Sequence, residues 1–276
     1  MSYLVESVLI VTGTVCGALL FMVVLNHFWP RERRRMHNDL IGWQLSVLGT
    51  TYAVILGFML FTVWTSYGAA TVNSDLEADA ALNVYRVAQA LPEPQRSQLQ
   101  DLARAYVDSV LSNEWPQMDR GEVPERSSTI ATEMWKTVLA ARITSATEIN
   151  AQDHELTHVS ELTKYRLTRI VQSTDKLPGV LWCVLLIGGV LTIVSACMFG
   201  SDSNWLQMLQ VFSFSLLIAL SLVAIADIHR PFSGLVHVED YPFRRAQEQM
   251  KKWSGVVMPT PDSSQPQASS PPAPRD

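Results

Sequence analysis

Between Asp39 and Asp75 the chain carries no Asp, Glu, Lys or Arg. Three more blocks behave alike: residues 4–28, with Glu6 near the start, and the uncharged stretches 177–201 and 203–226. A helix needs about 20 apolar residues to cross the hydrocarbon core of a bilayer, and each block supplies them. Irregular backbone cannot face lipid, because its N–H and C=O groups would go unpaired, so each block must be helical. Trp29, Trp43, Trp182 and Trp205 fall near block ends, at the level indoles favour. The pattern predicts an all-α chain: a four-span helical membrane protein with a helical insert between spans two and three.

The first block has no Lys or Arg before it and no A-x-A site after it, so it reads as an anchor rather than a cleaved leader. The second is longer than a bilayer needs. A helix over residues 40–67 would run about 40 Å at about 1.5 Å per residue, so it should tilt or project. Gly49, Ala53 and Gly57 stand four apart, a stripe of small residues that lets another helix approach. The sequence divides into spans one and two (4–67), the insert (68–177), spans three and four (178–227), a C-terminal turn with an amphipathic helix (228–255) and a tail (256–276). The tail is Pro, Ser, Gln and Ala, too poor in apolar surface to fold.

Within the insert, Ser74-x-x-Glu77 fits a capping box and predicts a fresh helix start there. Leu76, Ala80, Val84, Val87 and Leu91 follow at helical spacing until Pro92. Further helices are expected from Pro94 to Trp115-Pro116, over 127–143, over 151–173 and over 244–253. Two orientation signals oppose each other. Arg31, Arg33, Arg34 and Arg35 crowd the short first connection, while Lys164, Arg166, Arg169, Lys176 and Arg230 lie on the other side. Orientation is therefore left unresolved.

Net charge is −5, and no basic patch suggests a nucleic-acid partner. Cys16, Cys183 and Cys197 lie inside apolar blocks and read as small buried hydrophobes. His154-Glu155-Leu156-Thr157-His158 matches H-E-x-x-H, whose histidines can share a zinc ion on one helical face. A catalytic zinc needs a third protein ligand, and no H-x-x-G-x-x-H extension follows. Flanked by charge, the helix reads as exposed, with His154 and His158 solvated. No phosphate loop, nucleophile elbow or dinucleotide fingerprint is present, so neither an enzyme class nor a cofactor is expected. Asp75, Glu77 and Asp79 follow span two. They suit a helix start, or an acidic ring at a pore mouth if the chain oligomerises about that span.

The phrases LGTTYAVILGF (48–58), EWPQM (114–118), LPGVLW (177–182), DIHRPFSG (227–234) and YPF (241–243) arrive in order at span edges. Together they resemble a bacterial membrane-protein family described as bestrophin-like, over about residues 1–250. More distantly the chain is similar to bestrophins, which are pentameric ion channels with four spans per subunit. That resemblance implies a homo-oligomer in the bacterial inner membrane, with span two lining a path for small inorganic ions. Its L-G-F phrase is matched by Leu56-Gly57-Phe58, and counting back by fours gives Val54 and Thr50 as pore-constriction residues. A Pro-Phe-Gly turn after span four is matched by Pro231, Phe232 and Gly234, with Ser233 inserted. The chain departs from bestrophins in the residues after L-G-F and in the acidic calcium-binding cluster, so calcium gating does not carry over. A non-conducting scaffold or sensor, with the insert binding a partner, is the competing expectation, and a zinc hydrolase that uses His154 and His158 is the remote one.

Overall fold

The computed structural model describes residues 2–122, 124, 127–175 and 177–254. Helix α1 (Ser2–Phe28) is the first apolar block, and the short α2 (Arg31–Arg35) turns the chain. Helix α3 (Asn38–Val87) then runs for 50 residues without interruption. The insert continues with α4 (Gln95–Ser109), α5 (Trp115–Asp119), α6 (Ser127–Leu139) and α7 (Ala146–Thr174). Helices α8 (Gly179–Met198) and α9 (Asn204–Ile228) are the last two apolar blocks, and α10 (Tyr241–Ser254) closes the described chain. Among the described residues there is no strand, and four helices are long and apolar enough to span a bilayer. The tail expected over 256–276 lies outside the described residues.

The predicted helix start at Ser74 is not there. Ser74 Oγ donates back to the Ala70 carbonyl at 2.9 Å, and Glu77 turns inward, so neither half of the capping box forms. No Pro interrupts the run, and Ala69, Ala70, Ala78, Ala80 and Ala81 favour its continuation. At about 1.5 Å per residue α3 is about 75 Å long, so less than half of it fits inside an apolar core of about 30 Å. A complete capping box sits instead at Ser145 and Glu148, which starts α7 five residues before the predicted 151. The predicted helix from Pro94 is bent but continuous: α4 passes through a π-helical segment, Val110–Glu114, directly into α5.

Helix α3 belongs to both halves of the molecule. Its first half packs on α8 and α9, with Met59 and Val63 meeting Leu185 and Ile225. Its second half packs on α4, α7 and α10, around a core that includes Tyr85, Leu99, Tyr106, Met134, Leu162 and Phe243. That core is tightly closed, whereas the spans leave most large side chains facing outward, as lipid requires. Of the cysteines expected to be buried, only Cys197 is; Cys16 and Cys183 face outward. At the end remote from the insert, Arg34 is fully buried and donates to the Cys197 carbonyl at 2.7 Å, capping the C-terminal end of α8. Arg35 pairs with Asp202, and Asn38 bonds Gly200 in both directions.

Candidate functional site: an open helix face and a buried ion-pair core

Thr50, Val54 and Phe58 share one face of α3, and no other span of this chain covers them. Val54 is 53% exposed and Phe58 68%, the face opposite Tyr52, Met59 and Val63. The stripe continues through Phe61, Val72 and Leu76, so it runs from the apolar half of α3 into the insert. Gly49 and Gly57 also look into open space, so the small-residue stripe receives no helix from within the chain. The close approach is elsewhere: Tyr52 lies against Gly188 and Gly189 of α8 and donates to the Leu185 carbonyl at 2.9 Å.

Below the spans, α3, α7 and the π-helical segment meet at a cluster of buried charges. Arg169 donates to both oxygens of Glu77, at 2.7 and 2.9 Å, and also to Glu114. Arg166 donates to Glu114 at 2.8 Å, and the Tyr106 hydroxyl to Glu77 at 2.6 Å. Two guanidiniums thus balance two carboxylates that are fully buried. Burial alone would raise the Glu114 carboxyl, but the Arg169 and Arg166 guanidiniums beside it reverse that and hold it below the usual carboxylate range. Burial, then the Glu77 carboxylate, pushes the Tyr106 hydroxyl well above the ordinary tyrosine range. Both keep their protonation state near neutrality, so the cluster is a fixed clamp rather than a proton relay.

Three of the five phrases that carried the family resemblance, EWPQM, DIHRPFSG and YPF, converge on this clamp. Trp115 packs edge-on against Phe232 at 5.6 Å and tilted against Phe243 at 5.5 Å. The Arg169 guanidinium lies 5.6 Å from the Trp115 ring and 5.8 Å from that of Phe243. Asp227 accepts from the Leu235 and Val236 amides, both at 2.8 Å, and so holds the turn of Pro231, Phe232 and Gly234 against the end of α9. Gly234 sits at φ +107°, where a Cβ would lie 2.5 Å from Asp227 Oδ1.

The other singled-out residues do not assemble into a site. Of the three acids after span two, Glu77 is sealed in the clamp, Asp79 pairs with Arg245 at 3.0 Å, and Asp75 has no such tie among the described residues. His154 is exposed and His158 contacts Glu161 at 3.2 Å, while Glu155 points the other way and is fully buried. The helix expected to be exposed therefore buries its central carboxyl, and burial raises that group to about 9. Among the described residues no group of three or more His, Cys, Asp or Glu could hold a metal ion. Sequence reasoning passed over Arg166, Arg169, Tyr106 and Glu114 as a unit. Their one sequence signal was excess charge on helices that also bear core residues.

A family model described as "Bestrophin-like domain" matches residues 12–243. No curated protein matches. A crystal structure of a mutant bacterial bestrophin homologue from Klebsiella pneumoniae superposes with a TM-score of 0.63 at 12% identity, over 91% of this chain and 100% of that one. A second mutant bestrophin homologue from Klebsiella pneumoniae gives 0.62 at 13% identity, over 89% and 99%. At that identity the likeness is one of fold.

Proposed function

The chain belongs to the bestrophin-like family, and from that premise we propose that it is an oligomeric, passive ion channel with α3 lining the pore. The observation that carries the proposal is the uncovered stripe of Thr50, Val54 and Phe58 on a helix whose opposite face is fully engaged. Copies arranged about that stripe, five by the family resemblance, would enclose a narrow apolar passage. Val54 and Phe58 then form a constriction that gates small inorganic ions by dewetting, with no covalent chemistry. Asp75 is the acid left to face the mouth of such a pore. The site of action is the bacterial inner membrane.

The test is ion flux from liposomes holding the full chain, beside empty liposomes, under potassium, sodium and chloride gradients. Selective flux is expected. Phe58→Ala should widen the constriction and raise the flux several-fold; unaltered permeation would remove Phe58 from the pore. The competing scaffold reading draws on the absence of charged side chains from the apolar centre of every span. Folded protein that passes no ion under any gradient would favour it.

A further inference from the structure

Steps of four residues overshoot a helical turn by about 40°, so a line through Thr50, Val54 and Phe58 drifts around α3. The packed face of the helix gives a fixed reference. Ile41, Tyr52, Met59, Val63 and Ala70 are all buried, and at about 100° per residue they lie within about 20° of Tyr52 around the axis. Thr50 and Val54 stand about 160° from Tyr52, but Phe58 only about 120°. Phe61 stands about 180° away, opposite the middle of the packed face. It is 68% exposed, as open as Phe58.

Phe58 leans toward the flank that meets α8, where Thr51 and Ile55 line an apolar groove with Val184 and Ile187. Two other aromatic side chains of this stretch are accounted for within the chain: Tyr52 is buried against α8, and Trp64 is stacked on Tyr67 at 5.8 Å. Phe61 is the one that points straight away from its own packing. Thr65, one turn further on, donates its hydroxyl proton to the Phe61 carbonyl at 2.8 Å, so it holds out no free donor beside the ring. Gly68 and Val72, both exposed, continue the line at about 160° from Tyr52.

We propose that Phe61 supplies a second aromatic ring of the pore, about 4.5 Å beyond that of Phe58, and that it is the tighter of the two. The inference rests on the channel reading above, in which copies assemble about the open face of α3. In that arrangement the residue opposite the packed face comes nearest the axis, and Phe58 stands nearer the neighbouring copy. The apolar passage from Val54 to Phe61 is then about 10 Å long, and its length strengthens the dewetting that closes it.

The test is the same liposome flux, measured for Phe58→Ala, Phe61→Ala and Phe61→Trp beside the parent. Phe61→Ala should raise the flux several-fold and by more than Phe58→Ala does, while Phe61→Trp should lower it. Leu60→Ala, an exposed apolar residue about 80° from Tyr52, should leave it unchanged. A second readout uses a chain whose Cys16, Cys183 and Cys197 are replaced. There Phe61→Cys should lose most of its flux to a water-soluble, charged methanethiosulfonate, and Leu60→Cys should not. A conducting parent that responds to Phe58→Ala but not to Phe61→Ala overturns this inference alone, as does Phe61→Cys that conducts unaltered after the reagent. A folded parent that passes no ion overturns this inference together with the channel reading.

Discussion

Arg169 ties α7 to two partners at once, Glu77 on α3 and Glu114 on the π-helical segment. Neither carboxylate reaches water, so removing the guanidinium strands buried negative charge. Arg169→Met should cost about 3–5 kcal/mol in reversible unfolding, the usual scale for breaking a buried pair on one side. Asp79→Ala removes the exposed pair with Arg245 and should cost under about 1 kcal/mol. Glu155 is the opposite kind of buried acid. Among the described residues it has no hydrogen-bond partner on either oxygen, and burial raises its pKa to about 9. The folded state therefore keeps a proton that the unfolded chain gives up above about pH 4.3. Stability contributed here is complete below that pH, falls as pH rises, and is lost by about pH 9. Glu155→Gln should flatten that slope and stabilise at pH 7, by up to about 3 kcal/mol. Melting curves from pH 5 to pH 9 would show a parent that weakens and a variant that does not.

At the scale of elements, the capping signals show why the spans were legible and the insert only partly so. An apolar block has one outcome in a bilayer, and residues 4–28, 177–201 and 203–226 nearly coincide with α1, α8 and α9. Ser74-x-x-Glu77 and Ser145-x-x-Glu148 look alike as strings, but only the second is preceded by extended backbone, Ser145 lying at ψ 156°. In the first, Arg169, far away in sequence, draws Glu77 inward. No local rule shows that partner, and the same blindness made Glu155 look solvated. The turn after α9 was legible through Pro231 and Gly234, though its holder, Asp227, was not. Gly234→Ala combines a positive φ with a Cβ against Asp227 Oδ1, so it should cost about 1–3 kcal/mol and lower the melting temperature. A Ser233→Ala control, on the same turn without that conflict, should change it far less.

Taken whole, the molecule puts the N-terminal end of α1, the insert and α10 on one side of the spans, with α2 and the α8–α9 connection on the other. The orientation conflict in the sequence came from counting every arginine alike. Arg34 is not a free loop charge: it is buried, bound to the Cys197 carbonyl and to Asn26. Arg35 is paired with Asp202. That leaves Arg31 and Arg33 as the basic residues without a described partner on the remote side. On the other side Arg230 makes no ion pair with the described residues and stands next to a span, where basic residues bear most on topology. We propose that the insert lies in the cytoplasm. Replacing Cys16, Cys183 and Cys197 and adding one cysteine at a time tests this with a thiol reagent that cannot cross the inner membrane. Met36, 85% exposed beside α2, and His154, exposed on α7, are suitable positions. Met36→Cys should react in intact cells and His154→Cys only after permeabilisation. The reverse result would turn the molecule over, and place the α3 stripe's insert-side end, with Asp75, at the outer mouth of any pore.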